Sequence, residues 1–496
     1  MSCGINKHSP HALLTPTMHA ALDKAAVRAG IELSDLLWAA AKAVGEQIKQ
    51  RWPHARVLVL CGKGINGADG YLCAELLRRQ SYSVQLVSLY QDQDLKPQTY
   101  WAKQQWQGSC VPLSQLNLHD YDLVVDAVVG AGLSRSMEPA LAALLQRISD
   151  TNLPVCAIDL PSGIDGNSAQ WQEPVLRAQC TVTFERYKPA HVLEPASSYC
   201  GDIVLCPIGI PASAYDQLDV WAWRNHPTLW LSDFPWPVST SHKFTRGHAV
   251  VLGGEQLTGA SRLSARAAQR VGAGLVSVYA PASVWPVYAA ALDSIMVGTI
   301  EHTVPDDPRI QAYLCGPGAG VSERTRSWVM QILSSDRAVV LDADALTAFE
   351  HSSEDLWHAL SDTCVLTPHE GEFARLFGQF SALHKLERAR AAARKSGAVV
   401  VLKGADTIIA VPDGRCIVNT NASPFLATAG SGDILAGLVT GLLAQGMPAF
   451  SAAAAAVWLH GAAGTRYGPG LIPDDILREL PNLLKQLYAD SGLSEY

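Results

Sequence analysis

The stretch NASPFLATAGSGD at 421–433 runs straight into an uncharged apolar segment. A glycine turn at a helix N-terminus aims backbone N–H groups at an anion, and the helix dipole adds to the attraction. Asp433, just inside that helix, is placed to take a proton from a substrate hydroxyl while the amides hold a transferring phosphoryl group. The plainer alternative is a capping aspartate beside glycines that only turn the chain. A second polar group lies near the other end of the sequence, in CGKGINGADG at 61–70. Gly62, Gly64 and Gly67 match the G-x-G-x-x-G spacing of dinucleotide sites. That match alone is weak. Asp69 is expected in the first helical turn, where it would compete with a pyrophosphate for the helix N-terminus. Asn66 and Asp69 better suit a cation or a polar substrate group. Asp126 and Asp159 each end an apolar run and precede a glycine-containing turn. One such aspartate is more often a cap or turn former, but three strand-end loops of this kind point to a site. His369, alone, is evenly balanced between packing and function.

Elements must hold these loops in place. Short β-rich runs at 56–60, 84–90, 123–128, 155–158 and 181–184 alternate with helical patterns at 68–80 and 139–149. The alternation restarts with runs at 248–252, 275–279, 313–315, 338–341, 364–366 and 399–402. Strands alternating with helices predict parallel sheets, and in such sheets the chemistry lies at the strands' carboxyl ends. Between the two series, VWAWRNHPTLWLSDFPWPVSTSH at 220–242 carries four tryptophans and no clear period. It reads as a connector that packs rather than a flexible tether. The expected organisation is a domain over 1–220, a connector over 221–240 and a second domain over 241–496, both α/β.

Composition narrows the function. Hydrophobic residues make up 48% and charged residues 17% of the 496, the profile of a globular protein with filled cores. A net charge of −8 argues against a general nucleic-acid binder. Residues 434–465 contain no Asp, Glu, Lys or Arg, which is long enough for a membrane span. Gln445-Gly-Met-Pro448 breaks the segment, and two buried helices are expected instead. The eleven cysteines show no zinc-like spacing and are expected reduced, mostly buried and cytoplasmic. No long apolar segment opens the chain, so no secretory signal is expected.

The motifs also carry a resemblance. Asn66-Gly-Ala-Asp69-Gly70, Asp126 with Gly130-Ala-Gly-Leu133, Asp159-Leu-Pro-Ser-Gly163-Ile-Asp165 and Phe184-Glu-Arg-Tyr-Lys188-Pro resemble, in order, the NAD(P)H-hydrate epimerases. The resemblance implies a Rossmann-like three-layer domain that interconverts the R and S forms of NAD(P)H hydrated at C6. It also implies a bound potassium ion, with Asn66, Asp126 and Ser162 as ligands. Ile65, Asn66, Gly67, Ala68 and Asp69, the loop Gly130, Ala131, Gly132, Leu133, Ser134, Arg135 and Ser136, and Asp159 would contact the hydrate. Asp159 is the expected acid/base group. The family usually reads Asn-Asn-Gly-Gly-Asp-Gly, so Ile65 replaces a hydrogen-bonding side chain and Ala68 a glycine.

In the second half, Thr258-Gly-Ala260, Gly316-Pro-Gly318-Ala-Gly320, Asp342-Ala-Asp344-Ala, Thr367-Pro-His369-Glu-Gly-Glu372, Leu402-Lys403-Gly404 and Ala429-Gly-Ser-Gly-Asp433 look like the ADP-dependent NAD(P)H-hydrate dehydratases, a ribokinase-like branch. This resemblance implies phosphorylation of the C6 hydroxyl of the S hydrate, loss of phosphate and recovery of NAD(P)H. Ala260, Gly318, His369 and Asp433 would line the hydrate site. Lys403, Gly404, Ala405, Asp406, Thr407 and Gly432 would hold the adenine nucleotide, with Asp433 as base and magnesium screening the phosphates. NAD(P)H hydrate and ADP are thus the expected small-molecule partners of a homo-oligomer that binds neither nucleic acid nor membrane. Two alternatives stay open: a second domain that is a kinase for a small alcohol such as a vitamin precursor, and a first domain that binds nucleotide without catalysis.

Overall fold

A computed structural model describes residues 5–132 and 137–492. They form two compact units, one spanning Asn6–Val220 and the other continuing from Trp221.

The first unit is built on β1 (Arg56–Cys61), β2 (Ser83–Ser88), β3 (Leu123–Ala127), β4 (Val155–Ile158), β5 (Cys180–Phe184) and β6 (Asp202–Cys206). Their order is β2-β1-β3-β4-β5-β6, and every neighbouring pair is parallel. Alternation along β1 loads both faces of the sheet. Val57 and Val59 pack with Tyr71 and Leu72 of the helix Ile65–Arg79. Leu58 and Leu60 pack with Leu144 and Leu145 of the helix Pro139–Ser149. The chain leaves β1 toward β2 on one side and β3 on the other, so the loops after β1 and β3 diverge and open a crevice between them.

The second unit holds β7 (Ala222–Arg224), β8 (His248–Leu252), β9 (Leu275–Ala280), β10 (Met296–Thr299), β11 (Ala312–Cys315), β12 (Ala338–Leu341), β13 (Cys364–Leu366), β14 (Val399–Leu402), β15 (Ile408–Ala410) and β16 (Cys416–Val418). The order is β10-β9-β8-β11-β12-β13-β14-β15-β16-β7. Pairing is parallel from β10 to β14, then antiparallel through β15 to β16. The segment read as a connector supplies β7, which pairs with β16. Within that segment Trp230 is fully buried and donates its Nε1–H to Asn225 at 3.0 Å.

The uncharged segment folds as two helices, Ser431–Ala444 and Ala449–Tyr467, on either side of the Gln445–Pro448 break. Ser431–Ala444 lies tightly against Thr258–Arg270, where a Cβ on Gly437 would fall 2.2 Å from the Ser264 carbonyl oxygen. Among the described residues no helix is long and apolar enough to cross a membrane. Ten described cysteines are free thiols, most of them buried.

Candidate active sites

The crevice of the first unit is a cleft of about 790 Å³ between the loops after β1, β3 and β4, closed by helices near the chain's start. The glycines of the 62–67 turn have a packing reason. A Cβ on Gly62 would lie 1.9 Å from Val128 O, and one on Gly67 would lie 2.0 Å from Gly62 O. The turn ends at Gly64, which caps a helix beginning at Ile65, three residues before the expected start. Two expectations change as a result. Asp69 lies in the second turn, and Ala68 is an interior helical residue, where alanine is preferred to glycine. Ile65 heads the helix, remains 44% exposed and lines the cleft.

Asn66 and Asp69 face the same cleft. Both polar atoms of the Asn66 side chain and Oδ1 of Asp69 are buried without a hydrogen-bond partner among the described residues. Orphans of that kind are costly unless a ligand satisfies them. Burial pushes the Asp69 carboxyl well up, and the neighbouring Asp159 and Asp23 push the same way.

Asp126, fully buried at the end of β3, accepts from Ser162 N at 2.7 Å and Ser162 Oγ at 2.6 Å. Burial raises its carboxyl above the usual range, while hydrogen bonds from Ser162 and Val128 pull it back. An oxygen-preferring cation fits this ground: a buried carboxylate with no cationic side chain beside it, and an unsatisfied Asn66 carbonyl. A Cβ on Gly130 would come 3.1 Å from Asp159 Oδ2 and 3.2 Å from Asn66 Oδ1, so the glycine keeps these two groups near each other.

Asp159 follows β4 with a left-handed φ of 68°. Its Oδ1 accepts from Lys188 Nζ at 2.5 Å and Thr183 Oγ1 at 3.0 Å, and its Oδ2 accepts from Ala131 N at 3.3 Å. Burial alone would raise this carboxyl, but the Lys188 ammonium, with His191 and His19, holds it well below the ordinary range. Asp159 is therefore a standing anion, with little capacity to give or take a proton near neutral pH. Gly130, Ala131 and Gly132 line the cleft. Leu133, Ser134, Arg135 and Ser136 lie outside the described residues. The sequence reading missed His19 and Asp23, which face the cleft from the helix Pro16–Arg28, and left Lys188 without a role. The i, i+4 spacing of His19 and Asp23 was the available signal.

In the second unit the loops after β8, β11, β12, β13 and β14 share one edge of the sheet. Close backbone contact ties the first two together. A Cβ on Gly318 would fall 2.3 Å from Leu257 O, and one on Gly254 would fall 1.5 Å from Gly318 O. Ser264, one turn beyond Ala260, donates to the Asp433 carbonyl at 2.8 Å and joins this corner to the anion-binding turn. Gly430 takes a left-handed φ of 91° and caps the helix Ser431–Ala444. The Ser431 hydroxyl is held by His460 at 2.8 Å and the Ser431 N–H donates to Thr428 O at 3.3 Å, so the Gly432 and Asp433 amides are the ones turned toward a ligand.

Lys403 is the hub of this site. Its ammonium donates to Asp342 Oδ1 at 2.7 Å, lies 3.9 Å from Glu372 Oε2, and would be 3.6 Å from a Cβ on Gly432. Burial opposes its charge, but the Asp342 and Glu372 carboxylates hold the amine above its ordinary value. His369 caps the helix Glu370–Phe377, with Nδ1 accepting from Gly371 N at 2.9 Å and its ring more than half exposed. Burial pushes Asp433 up to about 6, reinforced by Asp342 and opposed by Lys403. Asp406 and Thr407 turn inward, Asp406 onto Lys385 and Thr407 Oγ1 onto Gly404 O at 2.8 Å. Gly404 and Ala405 are left exposed, so this turn offers backbone rather than side chains. Asp342, Glu372, Lys385 and His460 were not among the expected site residues. Among the described residues no cluster of three or more His, Cys, Asp or Glu could hold a metal ion.

Two α/β units, each with polar loops gathered at its strand ends, define the class. Residues 33–190 match the family described as YjeF-related protein N-terminus, and residues 249–482 match NAD(P)H-hydrate dehydratase. A bifunctional NAD(P)H-hydrate repair enzyme of Coxiella burnetii is 31% identical, over 92% of this chain and 96% of its own length. One from Moorella thermoacetica is 34% identical over 87% of this chain and 88% of its own. A solved structure of a Bacillus subtilis ADP/ATP-dependent NAD(P)H-hydrate dehydratase is 27% identical, with a TM-score of 0.47, covering 53% of this chain and 98% of that one. The chain belongs to the family of bifunctional NAD(P)H-hydrate repair enzymes.

Proposed function

We propose that the first unit equilibrates the R and S hydrates of NAD(P)H and that the second dehydrates the S hydrate at the expense of a nucleotide phosphoryl group. Because one activity consumes a single epimer and the other refills it, the pair clears the whole damaged pool. Family membership supports dehydration over a small-alcohol kinase, and the orphaned polar atoms of Asn66 and Asp69 support a working first cleft over a vestigial one.

The observation that carries the dehydratase reading is the meeting of Asp433, Lys403 and the helix N-terminus at Gly432. Asp433, with its carboxyl near 6, is largely ionised at neutral pH and accepts the C6 hydroxyl proton as the oxygen attacks the terminal phosphorus. The helix amides and the Lys403 ammonium hold the charge that builds on the phosphoryl oxygens. Ring nitrogen electrons then expel phosphate from C6, and loss of a C5 proton restores the C5–C6 double bond. The backbone of Lys403, Gly404, Ala405, Asp406 and Thr407 is the proposed seat of the adenine nucleotide. ADP is the proposed donor. Magnesium, when carried on its phosphates, would neutralise their charge and needs few protein ligands. Ala260, Gly318 and His369 border the hydrate's place.

In the first unit Asn66, Asp126 and Ser162 would hold potassium, which would supply countercharge to the buried Asp126. Asp159, kept ionised by Lys188, stabilises the iminium cation that forms when the C6 hydroxyl departs.

Hydrated NADH of both epimers, incubated with the protein and ADP or ATP, with and without potassium, tests the reading. Recovery of absorbance at the reduced-nicotinamide band from both epimers supports it. A retained phosphorylated product returns the kinase alternative. Consumption of the S epimer alone, at the uncatalysed rate of epimer exchange, removes the epimerase.

A further inference from the structure

One wall of the first cleft comes from outside the segment that matches the epimerase family. The helix Pro16–Arg28 presents Pro16, His19, Ala20 and Asp23 to the cavity, while Leu22, Ala25 and Ala26 are buried. The four cleft residues fall at i, i+3, i+4 and i+7, one continuous helical face. Two of them are polar: His19, which hydrogen-bonds the Arg186 backbone, and Asp23. His19 Nε2 is buried without a hydrogen-bond partner among the described residues. Asp23 is half-buried and forms no hydrogen bond or ion pair with them.

The other carboxylates of the cleft are committed elsewhere or shut away. Glu185 accepts from Tyr215 Oη at 2.6 Å and Ile208 N at 2.7 Å. Glu138 accepts from Tyr90 Oη at 3.4 Å and lies 3.9 Å from Lys63 Nζ. Asp159 accepts from Lys188, Thr183 and the Ala131 amide. Asp126 is closed by Ser162 and the Val128 amide. Asp69 is 5% exposed and has poor access to solvent protons. Epimerisation at a carbinolamine carbon needs a group that gives a proton as hydroxide departs and takes one back as water returns.

We propose that Asp23 is the catalytic acid–base residue of this cleft, protonating the departing C6 hydroxyl and recovering the proton from the water that adds to the opposite face. The inference rests on assigning epimerisation to the first unit. In the forward step the C6–O bond breaks with its electron pair on oxygen, and the ring nitrogen lone pair forms the C6=N iminium. The Asp23 proton completes the departing water. In the return step a water oxygen bonds C6, the nitrogen regains its pair, and the released proton goes back to the Asp23 carboxylate. Ionised Asp159 faces the cation throughout.

The charges around Asp23 favour this division of labour. Burial raises its carboxyl to about 6, Lys188 pulls it down, and Asp159 and Glu185 push it up. Asp69 from the helix after β1 and His19 on its own helix also face the cleft. Both protonation states are thus populated near neutral pH, as two-way proton transfer requires. The nearby imidazole of His19 is kept neutral, chiefly by burial and then by Lys188.

The test uses the full chain with separated R and S hydrates of NADH, without ADP, in water enriched in oxygen-18. The wild type should exchange the epimers well above the uncatalysed rate and place the label at C6. Asp23→Asn should lower kcat for both exchange and labelling by roughly 10²-fold or more, with KM changed by less than about threefold. Any remaining rate should lose the fall with rising pH near 6 that the wild type shows, because the protonated acid starts the reaction in either direction. ADP-dependent dehydration of the S hydrate by the same variant should be unchanged, and a urea-unfolding midpoint of the first unit equal to wild type reports that its fold is kept. Asp23→Glu should restore part of the rate. An Asp23→Asn protein that epimerises within threefold of wild type, or that loses only hydrate affinity, overturns the assignment of Asp23 while leaving the epimerase in place. A wild type no faster than the uncatalysed exchange removes the epimerase reading itself, and Asp23 with it.

Discussion

Asp159 and Asp433 are the same side chain in comparable settings. Each lies at a glycine-containing turn near the strand ends of its sheet, and each has a lysine nearby. In the first unit Lys188 bonds Asp159 directly, and the carboxyl is held down as a fixed anion. In the second unit Lys403 bonds Asp342 instead, and Asp433 feels both burial and the Asp342 charge, which carry it up to about 6. The ammonium's choice of partner separates a fixed anion from a carboxyl that titrates close to neutral pH. Neighbours that drive carboxyl groups apart mark their separate roles.

The most severe way to break this contrast is Asp433→Asn. It should lower ADP-dependent dehydration by about 10²–10⁴-fold, measured as kcat, and leave epimer exchange untouched. Lys188→Met attacks the other carboxylate. It strands Asp159 in a buried position and should cost about 3–5 kcal/mol in urea unfolding of the first unit, together with most epimerase activity. The folded-state Asp159 carboxyl lies below its unfolded value, so the pair's stabilisation is complete above about pH 4 and is lost as pH falls. The stability gap between variant and wild type should therefore narrow in acid. A gap that is constant with pH would mean that lost packing, not charge, accounts for the cost.

A pH series on dehydration sharpens the comparison further. With Asp433 as base, kcat/KM should rise as pH increases through about 6, since the ionised form does the work. Lys403→Met leaves Asp342 without its countercharge, so that limb should move to higher pH. A limb that stays in place would show that Asp342 does not set the Asp433 carboxyl. The smallest effect is expected from Ile65→Asn, which adds one hydrogen-bonding side chain at the cleft mouth. The KM for hydrate should fall about fivefold at most, the worth of about 1 kcal/mol, with thermal stability unchanged.

Some features were legible from residues alone because their causes are local. The runs at 155–158, 338–341 and 399–402 are strands with those bounds, since buried parallel strands read as unbroken β-branched and aliphatic stretches. The Gln445–Pro448 break separates two helices as its turn chemistry requires. Failures followed from distance along the chain. The short strands β15 and β16 are only three residues each, and β7 hides in a Trp- and Pro-rich segment whose pairing with β16 has no local mark. The helix after β1 starts at Ile65, on a turn whose Gly62 packs against Val128 from the loop after β3, a tertiary fit invisible to periodicity. Asp159 was expected to move protons, and only its surroundings make it a fixed charge.

The ordered loops, their glycines and the aspartates beside them were set by sequence, because left-handed turns, helix caps and apolar periods depend on a few adjacent residues. Folding alone decided what each charge touches. Lys188 is 29 residues from Asp159, Lys403 is 61 residues from Asp342, and His19 and Asp23 join a cleft whose other walls follow β1, β3 and β4. Desolvation and Coulomb interaction act through space, so an aspartate is held as a fixed anion or carried toward neutral pH only once the sheet has brought its neighbours into place.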